Sequence, residues 1–413
     1  MTWAGRARTL AFCVVAVLAA ACLGVLLTAR AAHADTFTVD STENPGTIGG
    51  CDTTDDDVPC TLKEAVNNAN VNGETDSINF AAGLSGEIPL ANTVAQTGFS
   101  ILNDTRPVDL TINGPGAGVL AVNGNNATRV FGIALGANVT IRGLTIKNGN
   151  APDTGKSTST DSGGGINNNG GTLALSNSTL SGNSAPVGNG GGIYNRATST
   201  MTLPNTTLSG NSALYGGGGI LHGGGFMTLT NSTLSGNTTA LNGGGILDIS
   251  STFGAMTLIN STLSGNSATY SGGGISSNGT LTLTHATLSA NSAPAGANVD
   301  VSGTANMRAT ILANPLGGGT NCDGTTTSQG FNLEFPGTSC GAEVAGAPKL
   351  APLANHGGLT LTHALQPGSA AIDRVTVSCP PPATDQRGVG RPLDGDGNGT
   401  AFCDIGAFER KRP

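Results

Sequence analysis

Residues 217–246 have the sequence GGGILHGGGFMTLTNSTLSGNTTALNGGGI, and variants of this stretch follow one another from residue 163 to residue 291. Five copies each open with a glycine run that ends in isoleucine, and the isoleucines lie 26 to 29 residues apart: Ile166, Ile193, Ile220, Ile246 and Ile275. A fixed period of about 20 to 50 residues is typical of solenoids, propellers and arrays. The repeat therefore determines the fold class before any single element is considered.

The apolar residues inside each copy follow the period of a short strand. Two of them lie two positions apart and the third follows five positions later: Leu173, Leu175 and Leu180; Met201, Leu203 and Leu208; Met227, Leu229 and Leu234; Met256, Leu258 and Leu263; Leu281, Leu283 and Leu288. A spacing of two places both side chains on one side of a strand, and the longer gap carries the chain round a bend. Glycine and Ser-Gly-Asn segments leave no run long enough for a helix, so each copy predicts one coil of short strands and turns.

Parallel stacking of these coils would place equivalent residues about 4.8 Å apart and align like with like. The aliphatic columns would form a narrow core. Two asparagine columns also result, the first interrupted by His285: Asn177, Asn205, Asn231 and Asn260, and then Asn183, Asn211, Asn237, Asn266 and Asn291. Because a primary amide both donates and accepts, we expect each column to hydrogen-bond to itself as a ladder. The predicted fold class is all-β, a right-handed parallel β-helix over residues 101–315.

These five copies resemble the repeats of the pectin-lyase-like β-helix superfamily, which occurs in secreted bacterial proteins. The resemblance implies the right-handed parallel β-helix. It does not select a function, because the same fold carries lyases, hydrolases, adhesins and inert stalks.

Residues 1–34 have the pattern of a secretory signal peptide. Arg6 and Arg8 precede an apolar run from residue 10 to residue 28, and Ala32-His33-Ala34 provides a small-x-small cleavage site. An uncleaved membrane anchor is the alternative, because the apolar run is long. We expect a secreted or surface protein without a membrane span after cleavage.

The charge balance argues against nucleic-acid binding. The chain has 18 basic and 26 acidic residues, and the loss of Arg6, Arg8 and Arg30 with the signal takes the net charge from −8 to about −11. A basic face for a nucleic acid is therefore not expected.

Six cysteines remain after the signal, and all of them flank the repeat array. An even number in an exported protein favours disulfides, although six cysteines allow fifteen pairings. Because they lie in three locally spaced pairs, we expect Cys51–Cys60, Cys322–Cys340 and Cys379–Cys403. Closing loops of this size stabilises a fold by about 3 kcal/mol each in the chain-entropy treatment.

Residues 35–100 predict an N-terminal cap. Residues 52–57 form an acidic stretch, which we interpret as a solvated loop with calcium binding as the alternative. Thr61 and Glu64 then form a capping box ahead of an apolar stripe made of Leu62, Ala65, Val66 and Ala69. This pattern predicts a short amphipathic helix that covers the open end of the first coil.

Two sequence segments in this cap carry a second resemblance. Residues 60–65, CTLKEA, and residues 76–80, DSINF, resemble the CSLREA motif of bacterial exported β-helix proteins, with Thr61 and Lys63 as conservative departures.

Residues 316–413 differ in character from the repeats and carry four of the cysteines. Residues 355–373, NHGGLTLTHALQPGSAAID, with DQRG at 385–388, RP at 391–392 and CDIGAFE at 403–409, resemble the choice-of-anchor Q domain. The resemblance implies a region that commonly precedes a surface-attachment segment. Because four residues follow Glu409, we expect no sorting signal after it.

The repeat array offers few groups for catalysis. From residue 157 to residue 299 the charged residues are Asp161, Arg196 and Asp248, at different points of the repeat. Polysaccharide cleavage needs paired carboxylates, or a cation-binding acidic cluster with a basic residue. His222 and His285 lack an acid or nucleophile at matching repeat phase, so we interpret them as structural.

One motif predicts a metal site. Asp394, Asp396 and Asn398 alternate with glycines in the sequence DGDGNG, which resembles the first half of an EF-hand-type calcium loop. Position twelve of such a loop, where an acidic residue is expected, is occupied by Ile405. Asp404 lies one residue earlier. Calcium binding and an ordinary Asp-Gly turn are both retained as interpretations.

Two classes of function follow. The favoured one is a secreted structural or surface-interaction β-helix that recognises extracellular carbohydrate or surface components along its Thr- and Ser-rich faces, with no catalysis and no required cofactor, calcium excepted. The alternative is a polysaccharide lyase or glycoside hydrolase with its site among the less regular coils, whose basic and acidic candidates are Arg106, Arg129, Arg142 and Lys147, and Asp104, Asp109 and Asp153. The sequence does not predict an oligomeric state.

Overall fold

The structure, a computed structural model, describes residues 34–43, 51, 59–70, 75–90, 99–101, 109–154, 159–250, 254–379 and 381–412. Residues 1–33 of the predicted signal peptide and the acidic stretch at 52–57 lie outside the described residues, as do Asp104 and Arg106. Within the described ranges, no helix has the length and apolar character needed to span a bilayer.

The chain forms a parallel β-helix in which each coil contributes strands to up to four walls. Wall 1 consists of strands of four to six residues, one from each coil. In the repeats these strands carry the Leu-x-Leu or Met-x-Leu pairs. Its strands are β1 (Thr36–Val39), β2 (Thr75–Phe80), β5 (Asp109–Asn113), β8 (Asn138–Arg142), β11 (Thr172–Ser176), β15 (Thr200–Pro204), β19 (Phe226–Thr230), β23 (Ala255–Ile259) and β27 (Thr280–Thr284).

Wall 2 consists of the strands of three or four residues that carry the Thr-Leu-Ser segments and their equivalents. Its strands are β3 (Gly86–Pro89), β6 (Leu120–Asn123), β9 (Thr145–Lys147), β12 (Thr179–Ser181), β16 (Thr207–Ser209), β20 (Thr233–Ser235), β24 (Thr262–Ser264), β28 (Thr287–Ser289), β30 (Ile311–Ala313) and β32 (Leu333–Phe335).

Wall 3 consists of short strands that open with the repeat isoleucines or, in the two strands before the repeats, with phenylalanine. Its strands are β4 (Phe99–Ile101), β7 (Phe131–Ile133), β10 (Ile166–Asn168), β14 (Ile193–Asn195), β18 (Ile220–His222), β22 (Ile246–Asp248) and β26 (Ile275–Ser277). Strands β29 (Val299–Arg308) and β31 (Cys322–Ser328) run across walls 3 and 1 and join them into one sheet. Wall 4 is made of two-residue strands: β13 (Ser184–Ala185), β17 (Ser212–Ala213), β21 (Thr238–Thr239) and β25 (Ser267–Ala268).

Neighbouring strands keep the register that the repeat predicts. On wall 2, Leu180 pairs with Leu208, and the column continues through Leu234, Leu263 and Leu288. All five side chains are fully buried. Burying a leucine side chain contributes about 1.5 to 3 kcal/mol, so these stacked columns supply the hydrophobic core of the β-helix. The predicted fold class is confirmed in its all-β, parallel β-helix architecture.

The glycine runs are required by the close approach of successive coils. Gly190 adopts a φ of 62°, a left-handed conformation that glycine adopts without strain. A Cβ atom on Gly191 would lie 2.2 Å from the carbonyl oxygen of Ser212 in the next coil. Each run therefore lets the chain turn into wall 3 while it touches the backbone of its neighbour.

The second asparagine column forms the predicted ladder. The Nδ2 atoms of Asn183, Asn211, Asn237 and Asn266 each donate to the Oδ1 of the next asparagine in the column at 2.9 Å. Each amide also bonds to backbone, as where Asn237 Nδ2 donates to Leu208 O at 3.0 Å. The ladder continues past Asn291 to Asn298 and Asn321, both of which were not anticipated. These amides are buried and use both donors and acceptors along the helix axis.

The expectation of a ladder in the first column is wrong for most of its length. One amide-to-amide bond is present, from Asn205 Nδ2 to Asn177 Oδ1 at 3.1 Å. These residues instead share a positive φ, from 47° at Asn260 to 54° at Asn231. Among residues with a side chain, asparagine tolerates this left-handed region best, so the turn between walls 1 and 2 selects it for its backbone.

The N-terminal cap has the predicted helix. Helix α1 (Leu62–Ala69) begins after Thr61, whose Oγ1 accepts a hydrogen bond from Glu64 N at 3.3 Å. Leu62, Ala65 and Val66 are buried, and the helix packs on β1, β2 and β4. A 3₁₀ turn, Ser159–Asp161, is the second helical segment in the described chain. The helix covers the first coils, as the solenoid requires.

Three disulfides join the pairs expected from their local spacing. Their Cα atoms are 4.5 Å apart for Cys51–Cys60, 5.1 Å for Cys322–Cys340 and 6.3 Å for Cys379–Cys403. The first lies beside α1, and the other two lie in the C-terminal region.

After β32 the chain turns back and packs against the side of the β-helix. Isolated antiparallel bridges, including Leu350 with Leu365 and Leu393 with Phe402, hold this segment, which we call the flap and define as the described residues 349–379 and 381–412. Its apolar residues form a second core with the outward side chains of β30 and β32, such as Ile311 and Leu333. The flap therefore covers part of wall 2.

Candidate functional site

The flap is fastened to wall 2 by a buried glutamine. Gln386 Nε2 donates to Thr233 Oγ1 at 2.8 Å, and its Oε1 accepts from Thr262 Oγ1 at 2.6 Å. Thr360 Oγ1 of the flap donates to Asn231 O at 2.8 Å, and the Ala407 amide of the flap donates to Thr287 Oγ1 at 3.0 Å. The wall-2 threonines beneath the flap are thus buried and hydrogen-bonded.

A buried ion pair also helps to attach the flap to the β-helix. Arg391 Nε lies 3.6 Å from Glu409 Oε2, and its other nitrogens donate to Asp404 O at 3.0 Å and Gly406 O at 2.7 Å. Arg391 Nη1 also contacts His285 Nδ1. Burial raises the pKa of Asp404 to about 8, with the Glu409 charge as a further cause. Burial likewise lowers the pKa of His285 well below its usual range, and the Arg391 charge adds to the shift.

The motif residues of the C-terminal resemblance are the ones that build this attachment. Asp385 Oδ2 accepts from Arg387 Nη2 at 2.7 Å and from the Glu409 amide at 2.8 Å. The Arg387 guanidinium stacks 3.5 Å from the centroid of the Phe408 ring. The DQRG, RP and CDIGAFE segments therefore hold the flap together and dock it on the coils.

A groove lies next to the edge of the flap, on the side of the β-helix that the flap partly covers. It has a volume of about 540 Å³ and is lined at the turn between walls 1 and 2 by Asn113, Arg142, Asn177, Asn205 and residues around them, with Leu359 of the flap at one edge. Asn177 and Asn205 belong to the first asparagine column. The next two members, Asn231 and Asn260, are contacted by the flap through Thr360 and Thr384.

Arg142 is the one charged side chain among the described residues of the groove lining. It ends β8, pairs in register with Asn113 and Ser176, and is exposed. Within the described ranges its guanidinium has no hydrogen-bond or ion-pair partner. An unpaired guanidinium is suited to bind an anionic ligand.

The other basic residues considered for catalysis are committed elsewhere. Arg129 is buried, and it donates to Gly163 O at 2.9 Å and Ser162 O at 2.8 Å, so it holds a loop. Burial lowers the pKa of Arg129 to about 10, against the effect of nearby Asp161. Lys147 on wall 2 pairs with Glu87, and its hydrogen bond lowers the pKa of that carboxyl.

Asp109 is a candidate acid within the described residues, and it does not line the groove beside Arg142. Asp109 Oδ1 accepts from Asn138 Nδ2 at 2.7 Å. Because Asn138 pairs with Asp109 and lies four residues before Arg142 on β8, the Cα atoms of Asp109 and Arg142 are about 14 Å apart. Of the described candidates, Arg129, Arg142 and Lys147 thus occupy three separate environments.

The predicted calcium segment forms a compact loop between Leu393 and Phe402. Asp394 accepts from Gly397 N at 2.6 Å and Gly399 N at 3.0 Å, and Asp396 Oδ1 accepts from Asn398 N at 2.9 Å. Although desolvation opposes it, the amides of Gly399 and Gly397 lower the pKa of Asp394.

A carboxylate from elsewhere in the flap joins this loop. Oxygens of Asp373, Asp394 and Asp396 lie within 4.8 Å of one another, and Asn398 Oδ1 accepts from Thr400 N at 2.8 Å. Burial raises the pKa of Asp373. Sequence reasoning missed Asp373 as a candidate ligand, although it ends the AAID segment quoted for the C-terminal motif. The calcium hypothesis at Asp394, Asp396 and Asn398 stays a prediction, with Asp373 as a further oxygen donor.

His222 lies in a polar column inside wall 3. Asn195 Nδ2 donates to His222 Nδ1 at 3.1 Å, and the next residue in register is Asp248, which accepts from Ser277 Oγ at 2.7 Å. Burial lowers the pKa of His222, while Asp248 opposes the shift. Because all of these side chains are buried, the column faces the coil interior and no substrate surface.

The Thr- and Ser-rich faces expected from the sequence are exposed only in part. On wall 2, Thr179 and Thr207 are partly exposed, but Thr233, Thr262 and Thr287 are buried under the flap. Wall 1 keeps an open row from β11 to β27. Its outward residues there carry no charge and include Thr172, Thr200, Thr202, Thr228, Thr230, Thr257, Thr280, Thr282 and Thr284.

No protein-family model and no curated protein sequence matches the chain. Among solved structures, the chain is similar to the crystal structure of pectate lyase Pel9A, with a TM-score of 0.48 and 12% sequence identity over 91% of this chain and 96% of that chain.

Proposed function

We propose that the protein is a secreted, non-catalytic β-helix scaffold that binds extended extracellular polysaccharide along wall 1. The observation that carries the proposal is the open, uncharged threonine surface from β11 to β27. Coils about 4.8 Å apart present hydroxyl and methyl groups in a regular array, which suits many small polar contacts with a hydroxyl-rich polymer. Phe226, which is 64% exposed in the middle of this surface, offers an apolar ring against which a sugar ring can pack.

The disulfides support a secreted location, because such bonds persist in oxidising compartments. The helix formed by the CTLKEA segment and the docking network formed by the C-terminal motifs support placing the chain with exported CSLREA-type and choice-of-anchor Q β-helix proteins. Both inferences belong to the proposal. They predict that processed protein is recovered outside the cell.

The alternative, a polysaccharide lyase or glycoside hydrolase, draws support from Arg142, which lies unpaired in a groove. Such chemistry also requires an acid, a second base or a cation beside the reacting bond. No aspartate, glutamate, histidine or lysine is present among the described residues of the groove lining. The scaffold is therefore the function that we favour.

Binding and cleavage separate the two functions. We expect the purified protein to bind immobilised glucan or xylan and to release neither unsaturated products nor reducing ends, with or without calcium. Phe226→Ala should weaken binding about 5-fold, the order of one aromatic contact. Tyr270→Ala, which removes another exposed aromatic ring away from wall 1, is the matched control. Reproducible product release that Arg142→Gln abolishes would establish the enzyme instead.

A further inference from the structure

We propose that the Arg142 groove binds an acidic unit, carrying a carboxylate or a sulfate, of an extended glycan. The inference rests on the proposed function for the glycan and adds the class of sugar and its binding position. Arg142 and Asn113 are the last residues of β8 and β5 on wall 1, so the groove continues from the edge of the proposed binding surface.

The charge of the groove differs from that of the chain. The whole protein has a net charge of −8, yet the described lining of the groove holds Arg142 and no acid. A guanidinium presents planar, paired donors that match a carboxylate or sulfate, and such charge-assisted bonds are about twice as strong as neutral ones. In a chain with a net negative charge, the unpaired guanidinium of Arg142 gives an anionic polymer a charge-assisted contact at the edge of wall 1.

The amides beside Arg142 provide partners for sugar hydroxyls. Asn205 Nδ2 donates to Asn177 Oδ1, which leaves Asn177 Nδ2 and Asn205 Oδ1 without a partner within the described ranges. Asn177 Nδ2 is therefore available to donate to a sugar hydroxyl and Asn205 Oδ1 to accept from one, in the same groove as Arg142. Asn113 is held by its bond to Asn79 Oδ1 at 2.9 Å, which fixes the opposite edge.

The flap limits the length of the site. Leu359, which is 70% exposed, lies at the groove edge, and the adjacent Thr360 bonds to Asn231 O at 2.8 Å. The open part of the asparagine column thus ends at Asn205. A volume of about 540 Å³ falls within the common range for small-ligand sites, about 300 to 1,000 Å³, so the groove accommodates a short segment of chain.

The test measures affinity of the full chain for three oligosaccharides by titration calorimetry: alginate for the carboxylate, dextran sulfate for the sulfate, and a neutral glucan. We expect at least one acidic probe to bind more tightly than the glucan, with an affinity that falls as salt rises. Arg142→Gln should weaken acidic binding by about 10-fold or more and leave the glucan unchanged, whereas Arg142→Lys should restore part of the loss. Arg196→Gln, which removes an exposed arginine bonded to Asn169, is the control.

The outcomes separate this inference from the proposed function. If the glucan binds as tightly as both acidic probes, or if Arg142→Gln binds them as wild type does, the acidic site is overturned while polysaccharide binding stands. If no polysaccharide binds, both proposals fall. A preference for alginate over dextran sulfate assigns the site to a planar carboxylate, and equal binding assigns it to either anion.

Discussion

Strands β16 and β24 have the same sequence, Thr-Leu-Ser, and lie two coils apart on wall 2, but they face different surroundings. The leucine of each is fully buried in the core. Thr207 of β16 is partly exposed, whereas Thr262 of β24 is buried and donates to Gln386. Identical repeats therefore form identical coils, and a residue from outside the repeat determines which coil remains accessible.

The turn column shows the same contrast. Asn177 and Asn205 line an open groove, while Asn260 donates to Thr384 O of the flap at 2.7 Å and His285 contacts Arg391. The backbone is alike at all four positions, with φ between 47° and 52°. The comparison teaches that the repeat specifies conformation, and that the flap specifies which polar groups are available to a ligand.

The largest expected effect on stability comes from a substitution that weakens the attachment of the flap to wall 2. Arg391→Met should destabilise the protein by about 3 to 5 kcal/mol, because Glu409 would stay buried without its counter-charge and the carbonyls of Asp404 and Gly406 would lose their donor. Denaturant unfolding measures the loss, and limited proteolysis should show cleavage within residues 349–412 first. Arg374→Gln, an exposed arginine of the same flap, should leave both readouts unchanged. Equal stability of the two variants would contradict the fastening role of Arg391.

A smaller effect should separate the two asparagine columns. Asn237→Ala leaves the amides of Asn211 and Asn266 with missing partners inside the coil, so we expect a loss of about 2 to 3 kcal/mol in the free energy of unfolding. Asn205→Gly removes one exposed amide bond and keeps the left-handed turn, so it should cost a few tenths of a kcal/mol, about the uncertainty of the method. Similar losses at both positions would show that the first column is also a ladder.

The smallest effect concerns the acidic loop of the flap. If calcium binds Asp394 and Asp396, with Asp373 as the third acid, a concentration tenfold above the dissociation constant stabilises the native state by about 1.4 kcal/mol. The melting temperature should then rise with calcium and fall with chelator. Asp394→Ala with Asp396→Ala should remove the shift, and Asp323→Ala, an exposed acid on β31, should keep it. A full calcium shift in the double variant would exclude this loop.

The sequence predicted the coils because their causes are local or periodic. The spacing of Leu173, Leu175 and Leu180 determines which side chains face inward, and the neighbouring coil repeats it. The disulfide partners are close in sequence, so proximity along the chain was a sufficient guide. The left-handed turn at the first asparagine column was missed because asparagine serves equally in ladders and in turns.

The flap could not be placed from the sequence because its contacts are distant and not periodic. Gln386 meets Thr233, 153 residues earlier, and no feature of the repeat distinguishes Thr233 from Thr207. The same applies to Asp373, which reaches the acidic loop only after the flap has folded. Arg142 was a candidate from its charge, but its separation from Arg129 and Lys147 follows from the walls on which the three residues lie.

The docking of the flap on β20, β24 and β28 also constrains how such a protein can evolve. Solenoids change length by duplication or loss of whole repeats, since each coil contacts only its neighbours. A coil added before β20 would leave the bonds of Gln386 and Arg391 intact and lengthen the open surface. A coil added between β20 and β28 would separate Thr233 from Thr287 and disrupt the attachment of the flap. The flap therefore leaves the N-terminal side of the array as the segment in which natural variants can differ in length.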